Sequence, residues 1–476
     1  MPTNATNAAT NFINVNDYFS SPNFALQDSG SSGTSFSSIF GNASTQVDAS
    51  WEFVFSPGDY TNNHVIFETG GNGDGTTVRL LGNTLSFIYQ DNPNALGAIE
   101  LTANLQSIGS ASDFYHVVAV AEVGTAGGAN AITQPALYVN GVLIDSLASP
   151  SAATINDWAG DNQSGIGGVF GNSTAIGLPN GNEPTFASFN GDIAILRHYN
   201  NQVLTQQQVS EAFADIALST ATVAWDAADY TSGNWATSSF DASVNNASTI
   251  ALNGSGTANS GSSNFANINN WVSSPNFTLS GTGGASFENI IGDTFTDEDA
   301  TIEAVFRPGD FSGSHVLFEV GGDGDGLVLK LIGSTLSLRF QSKNTDPSDV
   351  FQVDADLSTI GDFDDFFHIV GVMDVDSPNA LSGLYVNGNL IGSAGSATTL
   401  DDWAGANGGS VGVANDSVAG GGSFSAFDGD IAIFRVYGGE AFDQTMVDAA
   451  YGLVPEPSSM VLLGLGGLML VRRRRR

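Results

Sequence analysis

The sequence predicts an all-β chain: two tandem antiparallel β-sandwich domains followed by a short C-terminal hydrophobic helix. Three observations predict it. Apolar and polar residues alternate with a period of two. Turn-forming residues are dense, with 58 glycines among 476 residues. The whole pattern is also written twice, in one order, at a domain-length period.

The repeat is carried by an ordered series of matches. Ser21-Pro22-Asn23-Phe24 returns as Ser274-Pro275-Asn276-Phe277, and Phe55-Ser56-Pro57-Gly58-Asp59-Tyr60 as Phe306-Arg307-Pro308-Gly309-Asp310-Phe311. His64-Val65-Ile66-Phe67-Glu68 then matches His315-Val316-Leu317-Phe318-Glu319, and Asp157-Trp158-Ala159-Gly160 matches Asp402-Trp403-Ala404-Gly405. The expected organisation is copy one over residues 1–218, copy two over 222–452 and a tail over 454–476. Residues 222–255 have no counterpart before Met1, so copy one is expected to lack its opening strands.

Within copy one, Trp51, Phe53 and Phe55 alternate with Glu52, Val54 and Ser56, and Ile302, Ala304 and Phe306 repeat this in copy two. That is the pattern of a strand with one face on a core. Asn140-Gly141 and Asn387-Gly388 stand between apolar runs and mark hairpins, because both central residues of such a turn must accept positive φ. A helical stretch closes each copy, over residues 204–216 and 442–450, and is expected to lie across an edge of the sheets.

Asp and Glu number 49 against 12 Lys and Arg, a formal net charge of −37. The run Arg472, Arg473, Arg474, Arg475 and Arg476 takes five of those bases, so residues 1–471 hold only seven. Such a body repels nucleic acid, whose binding needs phosphate neutralisation, and favours cations. The absence of cysteine excludes disulfides, thiol nucleophiles and iron–sulfur clusters.

Taken in order, Asp299-Ala300-Thr301-Ile302-Glu303-Ala304-Val305-Phe306-Arg307-Pro308, Phe366-Phe367-His368-Ile369-Val370, Leu384-Tyr385-Val386-Asn387-Gly388 and Phe427-Asp428-Gly429-Asp430-Ile431-Ala432-Ile433 resemble the laminin-G-like or concanavalin-A-like jelly roll of bacterial surface proteins. The resemblance covers most of residues 18–217 and 222–452. It implies a two-sheet sandwich used mostly to bind sugars or proteins and sometimes to cleave glycans.

Pro455, Glu456 and Pro457, an apolar run over 460–471 and the five arginines resemble a PEP-CTERM sorting signal. That resemblance implies an exosortase-type enzyme as partner. A 12-residue run is shorter than the roughly 20 residues of a stable span, so the expected anchor in the inner membrane is transient. The arginines would hold its end on the cytoplasmic side. Such a tail belongs on an exported chain, yet Met1-Pro2-Thr3-Asn4 opens no basic and apolar leader. The expectation is that the true start lies upstream of Met1; the alternative is that copy one is naturally shorter and borrows its edge strand from elsewhere.

Two elements carry candidate chemistry. Residues 68–75 and 319–326 are glycine-rich and acidic, and glycine at alternate positions lets carbonyls and carboxylates converge on a cation. Ca²⁺ takes about six to eight oxygens. The candidate ligands are Glu68, Asn72, Asp74, Glu319, Asp323 and Asp325, with Ca²⁺ as cofactor; the other reading is a hairpin loop with incidental acids. Calcium-dependent binding is known in the laminin-G-like class, which the resemblance adds to this reading. Trp158 with Asp161 and Asn162, and Trp403 with Asn407, are candidate glycan contacts, since an exposed indole can stack on a sugar face; the other reading is a core plug.

His64 and His315 are equivalent, as are His116 and His368; the resembled family commonly has His at the second position, which implies a structural hydrogen bond there. No His-x-x-x-His pair or three-ligand cluster stands in the sequence, which argues against catalytic zinc. Glycosidases of the resembled fold carry Glu-x-Asp-x-x-Glu along one strand, and neither copy has it. The chain therefore reads as a non-enzyme: an exported cell-surface or extracellular-matrix protein binding polysaccharide or surface glycoprotein, or acting in adhesion. A glycan-degrading hydrolase or lyase and a purely structural acidic protein are the alternatives.

Overall fold

A strand that buries one apolar face needs a second layer to cover it, and this chain meets that need with antiparallel sheets. The computed structural model describes residues 3–5, 10–26, 48–71, 74–91, 97–126, 129–132, 134–147, 164–168, 185–218, 221, 223–231, 234–235, 239–240, 252–265, 267–279, 299–322, 325–341, 350–374, 381–395, 409–414 and 423–454. The chain divides into two compact units, Met1–Leu218 and Ser219–Arg476.

In the first unit one sheet runs, in hydrogen-bonded order, Thr3–Ala5, Tyr18–Ser20, Asp192–Asn200, Ala49–Ser56, Tyr115–Ala121, Ala136–Val139, Val142–Ser146. The facing sheet runs Phe24–Leu26, Ser164–Ile166, Asn63–Gly71, Asp74–Leu81, Thr84–Asp91, Gly97–Asn104. Trp51, Phe53, Phe55, Phe67, Val78 and Phe87 fill the space between them.

The second unit repeats the plan with one continuity. Strand Asn270–Leu279 pairs with Asp430–Gly438 at one end and with Gly409–Val411 at the other, so a single strand passes from one layer to the next. In the first unit the corresponding stretch is split into Tyr18–Ser20 and Phe24–Leu26, with Ser21 at φ 47° between them. Ile302, Phe306, Phe318, Leu329, Leu338 and Phe434 belong to the core of the second unit.

The expected one-sided burial of strands 49–56 and 300–307 needs correction. Glu52 and Val54, and Thr301, Glu303 and Val305, are buried along with their apolar neighbours. The closing helix of each unit covers part of that face, and in the second unit Phe265, Ile268 and Trp271 pack with Val305 beside it. Helix α1, Gln206–Ala217, begins on a Thr205–Gln208 capping box. Helix α2, Gln444–Gly452, is capped by Asp443. Phe213 of α1 stacks on His116 at 5.7 Å and Tyr451 of α2 lies 5.5 Å from His368, so each helix covers the outer face of the strands.

The predicted hairpins form as argued. Asn140 and Gly141 stand at φ 49° and 76°, and Asn387 and Gly388 at 49° and 75°. Gln206 and Gln444 donate to the carbonyls of Gly141 and Gly388 at 2.7 and 2.9 Å, tying each helix to its turn.

The two final strands are seated unequally. Asp430–Gly438 pairs with Ala300–Arg307 on one side and, from Ile433 to Val436, with Val223–Asp226 on the other. Asp192–Asn200 pairs with Ala49–Ser56, but among the described residues no strand takes the second side of 195–200, and that stretch is half-exposed.

Backbone crowding fixes one residue type where each final strand begins. A Cβ on Gly429 would lie 2.1 Å from the Arg307 carbonyl oxygen, and one on Gly191 2.0 Å from that of Ser56. Backbone cannot retreat as a flexible side chain does, so Gly429→Ala is expected to cost about 2 kcal/mol, read as a lowered urea midpoint at unchanged slope.

Among the described residues no helix is long and apolar enough to cross a membrane. The hydrophobic helix expected over 460–471 lies outside them.

Candidate functional site

Each unit encloses one carboxylate that the period-two pattern would have sent to solvent. Glu303, fully buried, accepts two hydrogen bonds from Arg435 Nη1 at 3.0 and 2.9 Å and one from Tyr437 Oη at 3.0 Å, and His368 Nε2 lies 3.1 Å away. Glu52 is held the same way by Arg197 Nη1 at 3.0 and 3.2 Å and Tyr199 Oη at 2.5 Å, with His116 Nε2 at 3.4 Å. Three strands converge on each acid, and the Arg-x-Tyr pair comes from the last of them.

Burial opposes the charge on both acids, and their partners outweigh it. For Glu52 these are the His116 contact, the Tyr199 hydrogen bond and the Arg197 charge; for Glu303 they are the Arg435 charge and the His368 hydrogen bond. Each carboxyl is held at about 2. A group so depressed and enclosed is no general acid near neutrality. It fastens strands, and His368 makes the expected structural hydrogen bond, whereas His116 Nε2 stands 3.4 Å from Glu52 as an ion-pair contact.

The second histidine pair sits elsewhere. His315 is the second residue of Ser314–Gly322, and its Nδ1 is 3.0 Å from the Ala426 carbonyl. Asp310, in the loop before that strand, and Asp428, just before the final strand, bring carboxylates to the same ring; one donor atom from each of the three side chains lies within 4.8 Å of the others. The sequence contains no such cluster as a run. The fold assembles it from two loops, which corrects the expectation that no three-ligand group exists. In the first unit Asp59, His64 and Asn190 take these places, with Asn190 Nδ2 donating to Asp59 Oδ2 at 2.7 Å. Burial opposes the charge of Asp59, but hydrogen bonds from Asn62, Asn190 and Thr61 hold it well below the ordinary carboxylate range.

The glycine-rich segments prove to be largely ladder. Pairing continues to Gly71–Asp74 and Gly322–Asp325, leaving two residues at each tip. Asp74 and Asp325 therefore begin strands, whereas Asn72 and Asp323 lie outside the described residues. Glu68 and Glu319 stand inside the sheet, buried, opposite Thr77 and Val328. Trp158, Asp161, Asn162, Trp403, Asn407, Pro455, Glu456, Pro457 and the five arginines lie outside the described residues.

Sequence reasoning missed Glu52, Glu303 and their Arg-x-Tyr partners. The available signal was a Glu inside an apolar strand together with Arg197-His198-Tyr199 and Arg435-Val436-Tyr437 at matching places in the two copies.

With the fold and these clusters in view, two family models match parts of the chain. A laminin-G model described as the concanavalin A-like lectin/glucanases superfamily matches residues 279–445, within the second unit. A PEP-CTERM protein-sorting motif matches residues 453–476 and supports an exported, membrane-transiting chain.

No curated protein matches the sequence. Among solved structures, the botulinum neurotoxin serotype G binding domain is similar at 14% identity over 49% of this chain and 50% of that one, TM-score 0.30. The chain thus spans about half the length of that binding domain. Domains LG4-5 of the mouse laminin alpha1 chain are similar at 12% identity over 93% and 90%, TM-score 0.26. The CBM40 of a Ruminococcus gnavus IT-sialidase bound to alpha2,3 sialyllactose is similar at 16% identity over 32% and 83%, TM-score 0.26.

Proposed function

We propose that this is an exported surface or matrix protein whose sandwiches bind carbohydrate, or adhere through it, without cutting it. The observation that carries the reading is the continuity of two matches: a lectin-type sandwich over 279–445 runs directly into a sorting motif over 453–476. The enclosure of Glu52 and Glu303 by arginine and tyrosine supports the non-catalytic part, since neither can reach a glycosidic oxygen. In this reading an exosortase-type enzyme removes the tail. The hairpin ends bearing Asp74 and Asp325 take Ca²⁺, and the Trp158 and Trp403 segments contact sugar.

The test is a glycan array probed with the full chain, with Ca²⁺ and after chelation. Retention of a subset of glycans, weakened by chelation together with a lowered Tm, is the expected result. Release of reducing ends from a bound polysaccharide would overturn the non-catalytic reading in favour of a glucanase. Arrays blank under both conditions would leave a structural acidic surface protein.

A further inference from the structure

We propose that Asp310, His315 and Asp428 of the second unit bind a divalent transition-metal ion of the zinc class, and that the first unit, with Asn190 in the place of Asp428, does not.

The geometry is that of a ligand set. One donor atom from each side chain lies within 4.8 Å of the others, and His315 Nε2 is 3.5 Å from Asp428 Oδ1. Donors about 2.0–2.2 Å from a shared tetrahedral ion stand about as far apart as His315 Nε2 and Asp428 Oδ1 do, and Asp310 completes the set by closing in on that pair.

The imidazole supplies the independent observation. A carbonyl only accepts, so the 3.0 Å contact to Ala426 O places the proton of His315 on Nδ1. In the neutral ring Nε2 then carries the lone pair. His315 is 4% exposed, and Nε2 is buried and makes no hydrogen bond. A buried Nε2 facing the Asp428 carboxylate calls for a cation between them, a proton or a metal ion, and a metal titration tells the two apart. An Nδ1–H tied to a carbonyl is also the usual outer support of a metal-binding histidine.

The surroundings hold this arrangement. Asp310 Oδ1 accepts from Ser312 N at 2.6 Å, Ser312 Oγ at 3.0 Å and Gly313 N at 3.2 Å, which fixes the loop. A Cβ on Gly313 would lie 2.0 Å from His315 Nε2, so glycine there makes room for the ring.

The ligand types select the ion. Nitrogen beside two carboxylates suits zinc and its neighbours, whereas calcium and magnesium take oxygen. The Asp428 side chain is 53% exposed, so three protein ligands leave an outward position for water or a small oxygen ligand. This site is separate from the glycine-rich hairpin, which lies at the opposite end of Ser314–Gly322, about 23 Å along the strand.

The first unit is an internal control that differs at one ligand. His64 Nε2 is also buried without a hydrogen bond and lies 3.7 Å from Asp59 Oδ2, but Asn190 turns an amide donor onto Asp59 at 2.7 Å, where a metal site would need a third acceptor.

The test titrates the chelator-stripped full chain with Zn²⁺, and with Co²⁺ followed by its visible absorption, in excess Mg²⁺ to saturate weak acidic sites. One tight equivalent per chain is expected. Asp428→Asn, which copies an arrangement the first unit already folds with, should weaken it by about tenfold or more. Asn190→Asp should add a second equivalent, because it completes the set in the first unit. No tight equivalent in the wild-type chain would overturn the proposal and leave His315 a proton-bridged structural histidine. A full equivalent surviving in both Asp428→Asn and His315→Ala would overturn it by placing the ion elsewhere.

Discussion

Glu303→Gln is expected to destabilise the second unit by about 3–5 kcal/mol, because it strips a buried guanidinium of its counter-charge. The carboxylate is wholly buried, and the Arg435 side chain is only 21% exposed, so little water can replace the lost partner. The same substitution at Glu52 should cost less, since the Arg197 side chain is 53% exposed and can turn to solvent. Calorimetry of the full chain separates the two: each variant should shift the melting of its own unit, Glu303→Gln further. An unshifted second-unit transition would show that the acid fastens nothing. Replacing Glu303 and Arg435 together by leucine should recover part of the loss, since the penalty lies in the orphaned charge rather than in the missing pair.

Acid should unfold both units between about pH 4.5 and pH 2. Each acid is depressed from its ordinary 4.5 to about 2 in the folded chain. A carboxyl whose folded value is the lower one stabilises the fold fully above its unfolded value, and that contribution disappears as pH falls through the folded value. The depression corresponds to roughly 3 kcal/mol per unit. Neutralising the other acids of a −37 chain relieves repulsion over the same range and offsets part of the loss, which begins near pH 4.5, where the unfolded chain takes up protons, and is complete below about pH 2. Tryptophan fluorescence from pH 7 to pH 2 measures this. In the Glu52→Gln, Glu303→Gln double variant this loss should flatten, and its persistence unchanged would assign the acid transition to other groups.

The parts of the fold legible in the sequence were those encoded over short range. Alternation in Trp51, Phe53 and Phe55 marks a strand, and Asn140-Gly141 and Asn387-Gly388 demand left-handed backbone wherever they occur. The duplication needed only that these signs recur in order. Glu52 and Glu303 were not legible, because an acid at the outward position of an alternating strand reads as solvated; it becomes buried only once α1 or α2 crosses over it. The Asp310, His315 and Asp428 cluster was hidden for a related reason. Asp59 and His64 repeat as Asp310 and His315 in the two copies, but the third member arrives from a loop next to the final strand, and only the topology places it there. The glycine-rich segments were legible as hairpins, but not how far the ladder runs into them, to Gly71–Asp74 and Gly322–Asp325.

The placement of the enclosed acids also governs when each sandwich can finish folding. Glu303 finds His368 65 residues later and Arg435 132 residues later, and Glu52 waits 145 residues for Arg197. Contacts so remote reward the chain only after most of its loop-closure entropy is already lost, which makes closure slow. A polypeptide emerging from its N-terminus therefore keeps each unit unlatched until the last strand is delivered.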